Sequence, residues 1–217
     1  MSPDELFKVI VQIVVLLFAV SVHESAHGWV ALRCGDTTAR DLGRITLNPI
    51  RHMDLFGSVL LPAVLAFTGA PVFGWAKPVP VSLRGVPNPR KANLLISAAG
   101  PLSNLIVAVC FASVLFLCRP LIAQAEREDV VYPLLLLGVY SVVVNVALAL
   151  FNLVPIPPLD GFGVVESLAP ASWIPALVWM RRYGFVLLMI VIFTGGLRYL
   201  LGPAQRVLIH WLLGGIL

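Results

Sequence analysis

Residues 9–22 form a predominantly apolar run and residues 28–32 are apolar again, yet between them stand His23, Glu24 and His27, in the order His-Glu-Ser-Ala-His. Ionisable side chains at membrane depth are costly, and a chain that keeps them there usually does so for function. Helical spacing places residues i and i+4 on one face, so His23 and His27 can offer two imidazole nitrogens to one metal ion. The glutamate between them then stands beside the open coordination position, where it can take a proton from water. The spacing predicts a metal centre inside the first membrane span, with zinc-dependent hydrolysis as its chemistry.

Composition supports the membrane setting. Of 217 residues 59% are hydrophobic and 12% charged, with mean hydropathy +0.94, whereas soluble domains carry about 25% charged residues. We expect an all-α polytopic membrane protein, residues 1–217 forming a single domain of about four to six transmembrane or re-entrant helices with a short membrane-associated β region. The net charge of +4 is explained by membrane orientation, and nucleic acid is not an expected partner. Cys34, Cys110 and Cys118 have no ligand spacing, and we assign them no metal or redox role. The N-terminus is acidic, and no small-residue cleavage site follows its apolar run, so it does not resemble a removable signal peptide.

Along the chain, a first helix is expected over residues 5–33. Alternation over 41–47 suggests a short strand. Residues 55–69 are apolar but too few for an ordinary span, and Pro62 interrupts them, so they read as re-entrant or as a tilted half-span. Residues 71–91 are loop-like. Spans are expected over 93–117, 130–154 and about 182–201, with residues 202–217 as an interfacial or docking helix. The 130–154 span ends in Pro155-Ile-Pro-Pro-Leu-Asp-Gly161, where three prolines forbid a regular helix. Unwound backbone at that depth requires protein or a watery cavity around it, which places Asp160 beside a cavity. If the first span runs inward, ten basic residues fall inside and five outside, with Glu126, Glu128 and Asp129 also outside.

A catalytic zinc usually takes three protein ligands and keeps one position open. Beyond His23 and His27, the candidates near span ends are His52, Asp54, Asp160, Glu166 and His210, of which Asp160 is best placed. His23 lies ten residues before Arg33, roughly 15 Å along a helix, so both ligand groups approach the same membrane face. His52 and His210 read as interfacial, and Asp54 as a helix cap. Asn104 reads as a packing residue beside Gly100 and Pro101; Asn145 is open between packing and function. Asp160 could also be a helix N-cap.

These residues belong to a wider pattern: His23-Glu24-Ser25-Ala26-His27, then Gly43-Arg-Ile-Thr-Leu-Asn-Pro49, then Gly74-Trp-Ala-Lys-Pro-Val-Pro80. Ala99-Gly-Pro-Leu-Ser-Asn104 and Asn152-Leu-Val-Pro-Ile-Pro-Pro-Leu-Asp-Gly161 follow. In this order the chain resembles the site-2 protease family of intramembrane zinc metalloproteases, in its compact form without an inserted PDZ domain. The resemblance implies one zinc ion held by His23, His27 and Asp160, Glu24 as general base, and Asn152 near the scissile carbonyl. It implies a strand-like region within residues 41–48 that receives an unwound substrate.

The expected partners are a transmembrane-helix protein substrate and the lipid bilayer; no residue pattern specifies an oligomeric state. The expected location is a bacterial inner membrane, with the active site toward the cytoplasmic side. The rival readings are a non-proteolytic zinc-binding membrane protein and a metal or proton transporter. A purely structural zinc site needs no base and usually has four ligands, and the chain shows no inverted repeat of the transporter kind.

Overall fold

The computed structural model describes residues 2–68, 74–122 and 131–214. The opening helix α1 (Pro3–Arg33) is nucleated by a capping box, with Ser2 Oγ accepting from the Glu5 amide and the Glu5 carboxylate accepting from the Ser2 amide. Its 31 residues extend about 46 Å, enough to cross a bilayer with tilt and to carry the His-Glu-Ser-Ala-His segment well inside its C-terminal end. The short helix α2 (Thr38–Asp41) follows, then a 3-10 turn (Pro49–His52), a π-helical turn (Leu55–Leu60) and α3 (Leu61–Thr68).

The central helix is α4 (Pro89–Leu117), which packs against α1 on one side and α6 (Val131–Asn152) on another. A four-residue helix, α5 (Arg119–Ile122), follows α4. Small side chains make these approaches close: Ala19, Ala108, Ala112 and Ala149 are buried. Association between helices in lipid depends on such packing, because lipid tails are as apolar as the side chains they would displace. Ala108, Ala112 and Leu115 of α4 meet Val142 and Val146 of α6. By contrast Ile10, Ile13 and Val14 of α1, Ile106 of α4 and Leu134 of α6 are exposed, as expected of lipid-facing positions.

After α6 the proline-rich turn leads into α7 (Asp160–Leu168), α8 (Ile174–Phe193) and α9 (Gly196–Leu213). Among the described residues, four helical segments are long and apolar enough to cross a membrane: Asp4–Arg33, Pro89–Leu117, Val131–Asn152 and Ala171–Phe193. The fourth differs from the span expected at 182–201. Its helix stops at Phe193 because Gly195 adopts a left-handed conformation (φ 73°), from which α9 starts in a new direction. Leu213 at the far end of α9 is buried against the α4–α6 cluster, so the expected tail helix docks on the bundle.

The β region expected over 41–47 is not formed, and the described residues contain no strand. The local backbone groups have other partners. Gly43 N–H donates to Arg40 O and Arg44 N–H to Ala39 O, closing a turn, while the Thr46 carbonyl accepts from Ser25 Oγ and His52 Nε2. Alternation of side chains makes a strand only when a neighbouring strand takes up the ladder bonds. The re-entrant segment expected at 55–69 is the π-helical turn followed by α3, capped by Asp54; Gly69 and the acidic cluster Glu126, Glu128 and Asp129 lie outside the described residues.

Candidate metal centre

Three elements bring the site together. His23 and His27 project one helical turn apart from α1, and their rings stand edge to face with centroids 4.7 Å apart. Asp160 is the first residue of α7, with Leu159 as the N-cap residue and no side-chain cap; the alternative of Asp160 as the cap is therefore not realised. Its Oδ2 lies 3.0 Å from His23 Nε2 and 3.2 Å from His27 Nε2. Both histidines are buried, and one ligand atom from each of the three residues lies within 4.8 Å of the others.

The start of α4 holds α7 in place. Arg90 Nε and Nη2 donate to the Ser167 and Ala169 carbonyls, at 2.5 and 2.7 Å, and Asn93 Nδ2 donates to Gly163 O and Ser167 Oγ. A cation at a helix C-terminus is also favoured by the helix dipole. Thus α4 fixes the helix that carries Asp160 while its middle turns pass directly over the two histidines.

The outer faces of both rings are satisfied. His23 Nδ1 donates to Asn104 Oδ1 at 2.6 Å, and His27 Nδ1 donates to the Ile96 carbonyl at 2.6 Å. The Asn104 orientation is fixed in turn, because its Nδ2 donates to Ala19 O (3.1 Å) and Asn145 Oδ1 (2.7 Å). Asn145 Nδ2 closes the chain on Ser141 O. With a proton on each Nδ1, each Nε2 turns a lone pair inward, a tautomer choice that outer partners commonly impose on metal ligands. Asp160 Oδ2 faces those lone pairs, buried and without a hydrogen-bond donor of its own. Three acceptors around one point make a cradle suited to a cation. A Cβ on Gly100 of α4 would collide with both Nε2 atoms, so glycine at this position keeps the space over the rings open. The donor set, two imidazoles and a carboxylate with room for water, suits a catalytic zinc.

Glu24 is half-buried beside this cluster, and its Oε2 accepts the Val79 N–H at 2.8 Å. Asn152 lies at the last residue of α6, where Nδ2 donates to Leu148 O at 3.0 Å; its side chain is bonded to its own helix rather than to the histidines. The remaining candidates stay apart. His52 is buried and donates from Nε2 to Thr46 O. Asp54 caps the π-helical turn, Glu166 pairs with Arg181 on α8, and His210 is exposed on α9. Asn104, expected as a packing residue, is a direct partner of His23; the sequence offered only an amide in a largely apolar span.

The model of peptidase family M50 matches residues 11–129, more than half of the chain. The chain belongs to peptidase family M50. This is the site-2 protease family, and the M50 match includes the His-Glu-Ser-Ala-His segment and Asn104. Over 193 residues the chain is 37% identical to a Bacillus subtilis (strain 168) protein named "Putative zinc metalloprotease YwhC", covering 88% of this chain and 84% of that one. It is 28% identical over 182 residues to the Mycolicibacterium smegmatis protein named "Putative zinc metalloprotease Rip2", covering 83% of this chain and 66% of that one. The Rip2 of Mycobacterium tuberculosis (strain H37Rv) is 28% identical over 177 residues, and the chain spans 63% of its length. No solved structure matches. As an M50 protein the chain is a zinc metalloprotease, and its long apolar helices make it an integral membrane protein.

Proposed function

We propose that this M50 peptidase is a single-domain intramembrane endopeptidase that hydrolyses peptide bonds within transmembrane segments of membrane-tethered proteins. His23, His27 and Asp160 would hold the zinc ion, with Glu24 as general base. The observation that carries this reading is the convergence of two inward-facing Nε2 lone pairs and the undonated Asp160 Oδ2, with the Glu24 carboxylate alongside. Zinc, when bound, lowers the pKa of water to about 7 and polarises a substrate carbonyl.

The chain's own groups do the rest. Glu24 takes a proton from the attacking water and passes it to the leaving amide nitrogen, so that the water's oxygen ends on the new carboxylate and the C–N bond breaks. Asn152 has one N–H on Leu148 O; its second N–H is the group that would donate to the carbonyl oxygen as charge develops there. A helical substrate hides its carbonyls in its own hydrogen bonds, so it unwinds before attack, and glycine or proline near the scissile bond eases that step. The excess of basic residues on the segments following α1 supports an inward-running first helix, and hence a site opening toward the cytoplasm of a bacterial inner membrane.

The test pairs zinc content with cleavage of a model transmembrane substrate in detergent, for the native chain and Glu24→Gln. Zinc in both with cleavage only by the native chain supports the reading. Cleavage by Glu24→Gln at the native rate removes Glu24 from its role, and absence of zinc from the native chain overturns the ligand set.

A further inference from the structure

The contact that the metal-ligand pattern does not account for is the hydrogen bond to Glu24. Residues 74–83 have no regular secondary structure, yet they are fastened along their length. Trp75 N–H donates to Gly57 O and Lys77 N–H to His52 O, while Ser58 Oγ donates to Trp75 O. Arg44 is buried and its Nη2 donates to the Lys77 and Pro78 carbonyls at 2.8 and 3.4 Å. Ser82 N–H donates to Asp36 Oδ2 at 2.7 Å. Val79 sits in the middle, buried, its side chain beside Gly28 on α1.

The sequence of this strap has a particular consequence. In Lys77-Pro78-Val79-Pro80-Val81 the two prolines carry no N–H, so Val79 is the sole main-chain donor between Lys77 and Val81. Pro78 has a fixed φ, and Pro80 disfavours the helical region for Val79. A rigid extended segment with a single N–H, held by a buried guanidinium, points that N–H at one oxygen of Glu24. The bond to Oε2 restricts the carboxylate's side-chain torsions and leaves Oε1 outside that bond.

We propose that the Val79 main-chain N–H is a positioning group for the catalytic base: the Pro-Val-Pro strap, anchored by Arg44, holds the Glu24 carboxylate in the orientation that proton transfer requires. This rests on Glu24 being the base. A general base contributes about 10²–10⁴-fold to rate, and a hydrogen bond to a charged group sets roughly a ten- to hundredfold part of that. Among the described residues no hydrogen bond joins the strap to His23, His27 or Asp160, so its effect falls on turnover and not on zinc.

The experiment replaces the Val79 amide by an ester, incorporating the α-hydroxy analogue of valine at position 79, which removes the N–H and keeps the side chain. An ester at Val81 is the control. Zinc content, kcat, KM and the affinity for a peptide hydroxamate, which shares a proton with the base, are measured in detergent alongside Glu24→Gln. The expected result for the Val79 ester is native zinc content and native KM, kcat down about ten- to hundredfold, and weaker hydroxamate binding; the Val81 ester behaves as native. Arg44→Met lowers kcat in the same way, and combined with the Val79 ester it lowers kcat no further than the ester alone, as coupled groups do. An unchanged kcat overturns the proposal, as does a raised kcat, which would make the contact a brake. Loss of zinc together with activity overturns it too, since the strap would then only hold the fold. If Glu24→Gln cleaves at the native rate, the base assignment fails first, an outcome distinct from a Val79 ester that is fully active while Glu24→Gln is dead.

Discussion

Replacing Asn104 by alanine tests how far the proposed zinc ligands depend on the amide chain behind them. The native side chain is fully enclosed, accepts from His23 Nδ1 and donates to Ala19 O and Asn145 Oδ1. Asn104→Ala therefore removes three bonds across helix contacts and frees the His23 ring to rotate or to carry its proton on Nε2, the wrong nitrogen for a ligand. Loss of such an outer partner typically lowers metal affinity 10–100-fold, which is about 1.4–2.8 kcal/mol. Interhelical bonds in membranes are worth about 0.6–2 kcal/mol each, so three of them amount to roughly 2–6 kcal/mol of fold stability. Chelator competition on detergent-purified protein gives the first number and thermal unfolding of the metal-free protein the second. Asn104→Asp separates the two. Its carboxylate still accepts from His23 Nδ1, so zinc affinity stays within about threefold of native, less than the loss an outer-partner deletion brings. It confronts the Ala19 and Asn145 oxygens with a third acceptor, so stability still drops. A folded Asn104→Ala protein that binds zinc as tightly as the native chain would refute this account of how His23 is oriented.

Gly100→Ala places a methyl group against both Nε2 atoms; zinc content is expected to fall from about one per chain to near zero, and the overpacking lowers the stability of the metal-free protein to thermal unfolding by about 1–3 kcal/mol, so a zinc-loaded Gly100→Ala protein would contradict the proposed cradle. Arg90→Ala removes two donors from the C-terminal turn of α7 and is expected to cost about 1–3 kcal/mol in thermal unfolding. Burial pushes the Asp36 carboxyl up, but hydrogen bonds from Thr38 Oγ1 and from the Ser82 and Thr38 amides outweigh it and hold it below its ordinary value. A depressed folded-state value means that its contribution is complete above the usual carboxylate range, about pH 4, and is lost as pH falls through the lower folded value. Hydrogen exchange at the Ser82 amide should thus show protection at neutral pH that disappears in strong acid, and Asp36→Ala should lack that protection throughout; an Asp36→Ala protein with native protection would show that other groups hold this end of the strap.

The parts of the site that rest on side-chain chemistry at helical spacing were legible before any coordinates. His23 and His27 could meet a single ion because four residues make about one turn, and Asp160 could reach them because three prolines end α6 and α7 begins at that aspartate. The apolar runs marked α1, α4 and α6 nearly to their ends, since lipid-facing helices admit few other compositions. What failed was local. Alternation over 41–47 suggests a strand, but the neighbouring side chains of Ser25 and His52 take the carbonyl that a ladder would need. The span expected at 182–201 ran through Gly195, whose left-handed backbone ends one helix and redirects the next.

Asn104 and Val79 mark the deeper reason why the rest was hidden. An asparagine in an apolar span can bond to any neighbouring helix, and only the register of α4 on α1 decides that it meets His23 rather than a carbonyl elsewhere. Val79 contributes through its main chain, where its identity as valine carries almost no information; the flanking prolines do, by removing every other donor from that stretch. A proline on each side of one residue is usually taken as a sign of a stiff connection. Here the stiffness has a direction, because Arg44 and Asp36 fix the segment at two points and Glu24 receives the one N–H between Lys77 and Val81. Functional information in this site thus lies partly in where main-chain hydrogen-bond donors are absent, and a search for reactive side chains alone passes over it.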